Sequence, residues 1–137
     1  MPLTAREYAY VHITGPGTHE QVTEILGMRP SDSWNVGDTN VRNGRPYRSM
    51  SWELKSGLDD THPLDQHIKE LLVVLGTRAH RIRELWVEYD LTLQCVGYYL
   101  PTCHGMHFDR EQVRQAAQLG LCLDLDFYYL DDHPTDA

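Results

Sequence analysis

The chain has 137 residues and a formal net charge of −8, and 41% of its residues are hydrophobic and 23% charged. This composition excludes a largely disordered chain, and the acidity argues against a nucleic-acid binder, which normally carries a basic surface. The apolar stretches are far shorter than the ~20 residues that a membrane helix needs. We therefore expect one cytoplasmic domain over residues 1–137, with an ordered core over 7–130, a flexible tail over 131–137, and no membrane or nucleic-acid partner.

The N-terminal half contains two predicted strands and a short helix. Residues 8–14 are β-branched and aromatic and precede a Gly-Pro-Gly turn, which predicts a strand. Residues 18–21 form a capping box that starts a helix, and Gly27 is its predicted end. Residues 28–48 show no period and predict a long loop, a kind of segment that is often functional. Residues 49–55 alternate strictly between polar and apolar, as in a strand with one buried face.

The C-terminal half adds helices and two further strands. Apolar residues three and four apart predict amphipathic helix over residues 63–89. Because one straight helix there would be ~40 Å long, we expect a turn near Gly76 that gives two helices. Residues 91–100 predict a third strand. Asp109 starts a capped helix, and residues 121–130 alternate as a last strand.

These elements predict an α+β domain of order β-α-β-(αα)-β-α-β. Strands with one apolar face indicate a four-stranded, mostly antiparallel sheet with the helices packed on one face. A ferredoxin-like variant, in which the helical pair replaces the central hairpin, is the expected topology. It would fail if residues 63–89 formed one unbroken helix.

Four segments in order carry a family resemblance. They are Ile-Leu-Gly-Met-Arg-Pro at 25–30, Trp-Asn-Val-Gly-Asp at 34–38, Ser-Trp-Glu-Leu-Lys-Ser-Gly at 51–57, and Leu-Gly-Leu-Cys-Leu-Asp-Leu-Asp-Phe-Tyr at 119–128. Together they resemble the bacterial domain-of-unknown-function family numbered 4279, from about residue 8 to about residue 130. The resemblance implies no activity and no catalytic residue, and residues 101–107 depart from the family pattern.

The polar face of the predicted sheet holds most of the candidate site residues. Tyrosines beside carboxylates suit a cationic ligand or a basic protein surface. The alternatives are a plain solvated face, or one covered by the long loop or by a second subunit. The candidates on this face are Tyr10, His12, Glu53, Tyr98, Asp124, Asp126 and Tyr128.

Asp124 and Asp126 are the strongest candidates for chemistry. The rise along a strand places them ~6.5–7 Å apart on one face. Such a pair could hold a hard cation or act in acid/base catalysis, and His12 would lie beside it if the first and last strands pair. The alternative is a pair of solvated carboxylates.

A second candidate site would bind a metal through Cys103, His104 and His107. Zinc needs three or four such ligands in tetrahedral geometry, and this spacing matches no standard finger. The alternative is a turn with an incidental thiol. We predict no cofactor, and the odd number of cysteines indicates reduced thiols.

The 28–48 loop carries arginines and a tryptophan. Arg42, Arg45 and Arg48 could clamp an anion, although we favour an arrangement in which they cover the acidic strand face. Trp34 either anchors the loop or contacts a ligand, and we favour the anchor. Trp52, on an apolar strand face, is predicted to lie in the core.

Three functional hypotheses follow. The favoured one is a non-catalytic binding or interaction domain, of which an immunity-type protein that neutralises a basic protein by charge is one form. The second is a small metal-dependent or acid/base enzyme that uses Asp124, Asp126 and His12. The third is a homodimeric module whose open sheet face is the interface. A deep pocket between the 28–48 loop and the face that carries Tyr10, Asp124 and Asp126 would favour a ligand or an enzyme alike, whereas a flat face would favour protein contact.

Overall fold

The structure is a computed structural model that describes residues 4–101 and 105–130. It contains five strands and four helices. In chain order they are β1 (Arg6–Thr14), α1 (His19–Leu26), β2 (Asp32–Trp34), β3 (Ser51–Lys55), α2 (Leu64–Gly76), α3 (Ala79–Arg83), β4 (Asp90–Tyr99), α4 (Arg110–Gln118) and β5 (Cys122–Tyr129).

The strands form one mixed sheet in the order β2-β3-β1-β4-β5. The first three neighbouring pairs are antiparallel, and β4 and β5 are parallel. The α+β class is therefore correct, whereas the predicted count of four strands is wrong. The prediction missed β2, because three residues are too few to show an alternating pattern.

The connections explain both the correct and the incorrect part of the predicted topology. α1 joins β1 to β2 with β3 between them, and α2 and α3 join β3 to β4 with β1 between them. This is the split βαβ arrangement of ferredoxin-like folds, repeated twice. The central pair of strands is present as β2 and β3, so the helical pair does not replace it. β5 is a further strand beyond this arrangement, and α4 connects it to β4 as a parallel crossover.

Residues 63–89 contain two helices, as expected from their length. α2 ends at Gly76, and α3 begins three residues later. Both sequence-predicted capping boxes are also present: the side chains of Thr18 and Asp109 accept hydrogen bonds from the third helical N–H groups of α1 and α4. Such caps satisfy N–H groups that a helix leaves unpaired at its start.

The core lies on one face of the sheet. β1 contributes Ala9, Val11 and Ile13, and residues of all four helices or of the turns directly after them belong to the same buried cluster. Trp52, predicted to be core, is completely buried, and its indole N–H donates to the Thr23 hydroxyl at 3.0 Å. This bond joins β3 to α1. Among the described residues, no helix has the length and apolar character needed to cross a bilayer.

A glycine between α4 and β5 provides a test of this packing. Gly120 has a φ of +68°, and a Cβ there would lie 2.5 Å from the Trp86 indole nitrogen. We expect Gly120→Ala to lower the free energy of unfolding in urea by about 2–4 kcal/mol. The loss would have two sources, because alanine is strained in the left-handed backbone conformation and its Cβ would clash with the Trp86 ring. Gly44→Ala is the matched control, because Gly44 has a φ of +69° and open space around it. Equal losses in the two variants would show that the Trp86 contact contributes nothing.

Candidate functional site

The sheet face opposite the helices carries the predicted polar candidates. Residues paired across neighbouring strands point to the same face. Tyr10 lies between Lys55 and Gln94, and His12 lies between Glu53 and Thr92. On the far side of β4, Gln94 pairs with Asp124. The structure therefore places all seven predicted face residues on one surface, which we call the open face.

The seven residues do not form a single site. β4 lies between β1 and β5, so the condition for His12 to lie beside Asp124 and Asp126 is not met. Asp126 instead accepts a hydrogen bond of 2.7 Å from the Gln94 side-chain amide. On the same side of the sheet, the rings of Tyr98 and Tyr128 stack with their centroids 5.0 Å apart.

The other half of the open face forms the floor of a cleft. Residues 38–42 and Tyr47, from the segment after β2 (residues 35–48), line this cleft together with residues of β1, β2 and β3, and its volume is about 1050 Å³. The cleft lies between the 28–48 loop and the sheet face, but Asp124 and Asp126 are not among its described lining residues. Its lining residues include Tyr8, Tyr10, Asp32, Trp34, Asp38, Arg42, Tyr47, Glu53, Lys55, Ser56, Asp59, Asp60 and His67.

Hydrogen bonds hold the 35–48 segment in place. The Asn35 side chain donates to the Glu20 carboxylate at 2.8 Å and accepts from the His19 N–H at 2.9 Å, which ties the segment to the start of α1. Gly37 and Tyr47 are joined by a backbone hydrogen bond of 2.9 Å, and Asp38 accepts from the Tyr47 N–H at 2.8 Å. The predicted aperiodic loop is thus ordered by hydrogen bonds. We call residues 35–48 the arm, and it forms one wall of the cleft.

Two aromatic pairs line the cleft. The rings of Trp34 and Tyr47 stack with their centroids 4.3 Å apart, which joins the arm to β2. Tyr8 and Tyr10 stack on β1 with their centroids 6.4 Å apart. Trp34 therefore anchors the arm, as favoured from the sequence, and it is also part of the cleft wall.

Carboxylates outnumber bases in the cleft. The described lining contains five carboxylates and, apart from the imidazole of His67, two bases; the carboxylates are those of Asp32, Asp38, Glu53, Asp59 and Asp60. Those bases are Arg42 and Lys55, whereas Arg45 and Arg48 are exposed and lie outside the lining. Only one of the three arginines predicted to cover the acidic face thus takes part in the cleft.

Glu53 is the central carboxylate of this surface. Burial raises its pKa, and the nearby Asp32 adds to the rise, while His12 opposes it. Burial, with a smaller contribution from Glu53, also raises the pKa of Tyr10 to about 12. Within residues 4–101 and 105–130, Glu53 forms no salt bridge, and its carboxylate accepts from the Ser51 hydroxyl at 3.3 Å. The cleft therefore contains a partly desolvated anion with no cation in direct contact.

A histidine that the sequence analysis missed contributes to the cleft wall. His67, on α2, is completely buried, and its Nδ1 lies 2.6 Å from the Ser56 hydroxyl oxygen. Its Nε2 has no hydrogen-bond partner in the described structure. The available signal was its position among Leu64, Ile68 and Leu71, since a histidine in the apolar stripe of a helix needs an explanation.

The predicted metal site is only partly within the described structure. Cys103 and His104 lie outside the described residues, and His107 is exposed. Where the chain is described, no three potential ligands lie close enough to hold a metal ion. Asp109 caps α4, as predicted.

Comparison with known families gives one match. Residues 5–130 match the family described as Domain of unknown function (DUF4279). The chain belongs to this family. The match covers nearly all of the chain and confirms the resemblance seen in its four segments. No curated protein and no solved structure matches the chain, so the function of this DUF4279 domain has to be argued from the cleft itself.

The raised pKa of Glu53 predicts a pH dependence of stability. The unfolded chain ionises this carboxyl at its ordinary pKa, whereas the folded protein holds its proton to higher pH. Stability is therefore lost as pH rises from the ordinary to the raised pKa. Glu53→Gln removes that loss, so we expect it to be as stable as the wild type near pH 4. Near pH 7 it should be more stable by up to about 1 kcal/mol, a value discounted for solvent screening.

Urea denaturation between pH 4 and pH 7 measures this difference. Glu70→Gln, which changes an exposed carboxyl on α2, is the control and should show no such trend. If Glu53→Gln instead became less stable than the wild type as pH rises, Glu53 would have a favourable charged partner in the folded protein.

Proposed function

We propose that this DUF4279 domain is a non-catalytic binding domain whose cleft receives a cationic group, an amine or a guanidinium, of a ligand or of a basic partner protein. The observation that supports this most directly is Glu53, a partly desolvated carboxylate without a salt bridge in the described structure. A cation bound beside it would offset the cost of its burial.

The charge around Glu53 supports the same ligand class. Asp32 is the cross-strand partner of Glu53, and Asp59 and Asp60 line the same cleft. Because adjacent carboxylates repel one another, a bound cation would stabilise several of them together. An anionic ligand would instead face an excess of like charge.

The aromatic walls add a second contribution. Tyrosine and tryptophan rings attract cations through their negative faces, and the attraction strengthens where water is excluded. The aromatic walls are thus suited to hold the apolar stem and charged end of a lysine- or arginine-like group. They consist of Tyr8, Tyr10, Trp34 and Tyr47. The protein uses the same interaction elsewhere, where the Arg6 guanidinium lies 4.2 Å from the centre of the Tyr98 ring.

The competing hypotheses find less support. An enzyme built on His12, Asp124 and Asp126 would need them close together, and β4 separates the first from the other two. A homodimer packed through the open face would meet the 35–48 arm over β2, β3 and β1. The immunity-type hypothesis is one form of our proposal, since a lysine or arginine of a basic protein carries the required group.

Nuclear magnetic resonance of the three indole N–H groups can test the proposal. Trp34 lines the cleft, while the Trp52 and Trp86 indoles donate to Thr23 and to the Leu119 carbonyl. We expect the methylamides of acetyl-lysine and acetyl-arginine to shift the Trp34 signal, with the other two signals as internal controls. The neutral methylamide of acetyl-norleucine should leave all three signals in place.

Glu53→Gln should weaken binding of the lysine probe about tenfold, the equivalent of losing one favourable charge contact. In the wild type, affinity should rise with pH as Glu53 ionises through its raised pKa, with proton release on binding. The Glu70→Gln control should bind like the wild type. Equal binding of the norleucine probe, or an unchanged affinity in Glu53→Gln, would contradict the proposal.

A further inference from the structure

We propose that the outer edge of β5 binds an extended segment of a partner protein in which basic and apolar residues alternate. This surface is separate from the cleft, because β4 lies between β5 and β1, the nearest strand that lines the cleft. The segment would add a sixth strand to the sheet, a recognised mode of peptide binding.

In the described structure, β5 is an edge strand, and no other strand pairs with its outer side. It is the last strand of the sheet, and every residue of it is exposed except the half-buried Phe127. Pairing with β4 uses the backbone groups on one side only, so the groups on the other side point away from the sheet. Natural edge strands are usually protected by lysine, proline or a short length. β5 has eight residues and contains neither lysine, arginine nor proline.

The two faces of β5 differ in chemistry. Leu123 and Leu125 pair with the buried Leu93 and Cys95, which places them on the helix side, yet they are 43% and 46% exposed. The next strand of a sheet would cover such side chains. Asp124 and Asp126 lie on the open face, and in the described part of the chain neither forms a salt bridge.

This pattern specifies the partner. Two aspartates ~6.5–7 Å apart along a strand match two lysines or arginines at alternate positions of a neighbouring strand. The intervening residues of that strand would point to the helix side and cover Leu123 and Leu125. Backbone hydrogen bonds would provide affinity, and the alternation would provide specificity.

A second copy of this chain fits the edge poorly. Antiparallel self-pairing centred on Leu125 would place Asp124 opposite Asp126 of the other copy, and like charges directly opposite destabilise a sheet. The last seven residues of the chain contain three aspartates and no lysine or arginine, so they do not supply the positive charge either.

The experiment uses the full chain and the synthetic peptide Thr-Lys-Ile-Lys-Ile-Lys-Thr, with amide hydrogen exchange and isothermal titration calorimetry as readouts. We expect binding with slower exchange in Cys122–Tyr129. A peptide with the same residues in the order Lys-Lys-Lys-Ile-Ile-Thr-Thr, and one N-methylated at alternate amides, should each bind at least tenfold more weakly.

Variants separate the edge from other acidic surfaces. Asp124→Lys should weaken peptide binding at least tenfold, and Asp124→Asn should do so by a smaller factor. Asp65→Lys, the same charge change at an exposed position on α2, should have little effect. Glu53→Gln should leave the protection of Cys122–Tyr129 by the peptide unchanged, so that a failure of this proposal is distinguishable from a failure of the cleft proposal.

Three results would overturn the inference. The first is equal binding of the reordered or N-methylated peptide. The second is protection from exchange in residues 32–55 with none in Cys122–Tyr129. The third is a dimer in analytical ultracentrifugation that protects Cys122–Tyr129 without peptide, which would assign the edge to a second copy.

Discussion

The burial of apolar side chains on a single face of the sheet is the constraint on which the rest of this structure depends. β1 lies at the centre of the sheet, paired on both sides, and its Val11 and Ile13 are covered by the helices. Since alternate residues of a strand point to opposite faces, this packing sends Tyr10 and His12 to the other side. The open face is thus a consequence of core formation, because the helices pack against the other face of the sheet.

The arm over residues 35–48 turns part of that flat face into a cleft. It belongs to the connection between β2 and β3, and Asn35 fixes its base to the start of α1. Burial raises the pKa of the Glu53 carboxyl, which a carboxylate on an open, solvated strand would not show. Glu53 and residues 38–42 of the arm line the same cleft. The proposed binding of a cation therefore depends on the arm as much as on the sheet.

Carboxylates lie close together on two separate surfaces of the protein, the cleft and the open face of β5. In the cleft, carboxylates lie among aromatic rings that partly exclude water. This environment favours the binding of a single cationic group between the rings. Along β5, Asp124 and Asp126 alternate with exposed leucines beside open backbone groups, which favours an extended strand. The same overall charge could steer basic molecules to both surfaces, while the local geometry distinguishes the partner proposed for each one.

The sequence by itself determined the features that arise from neighbouring residues: the capping boxes at Thr18 and Asp109, the alternation that buries Trp52, and the break of the helical region at Gly76. β2 could not be predicted, because three residues become a strand only by pairing with β3. Tertiary structure alone decided that β4 separates His12 from the aspartates of β5. It also decided that residues of the arm and Glu53 line one cleft, since strand order and loop placement depend on contacts between residues far apart in the chain.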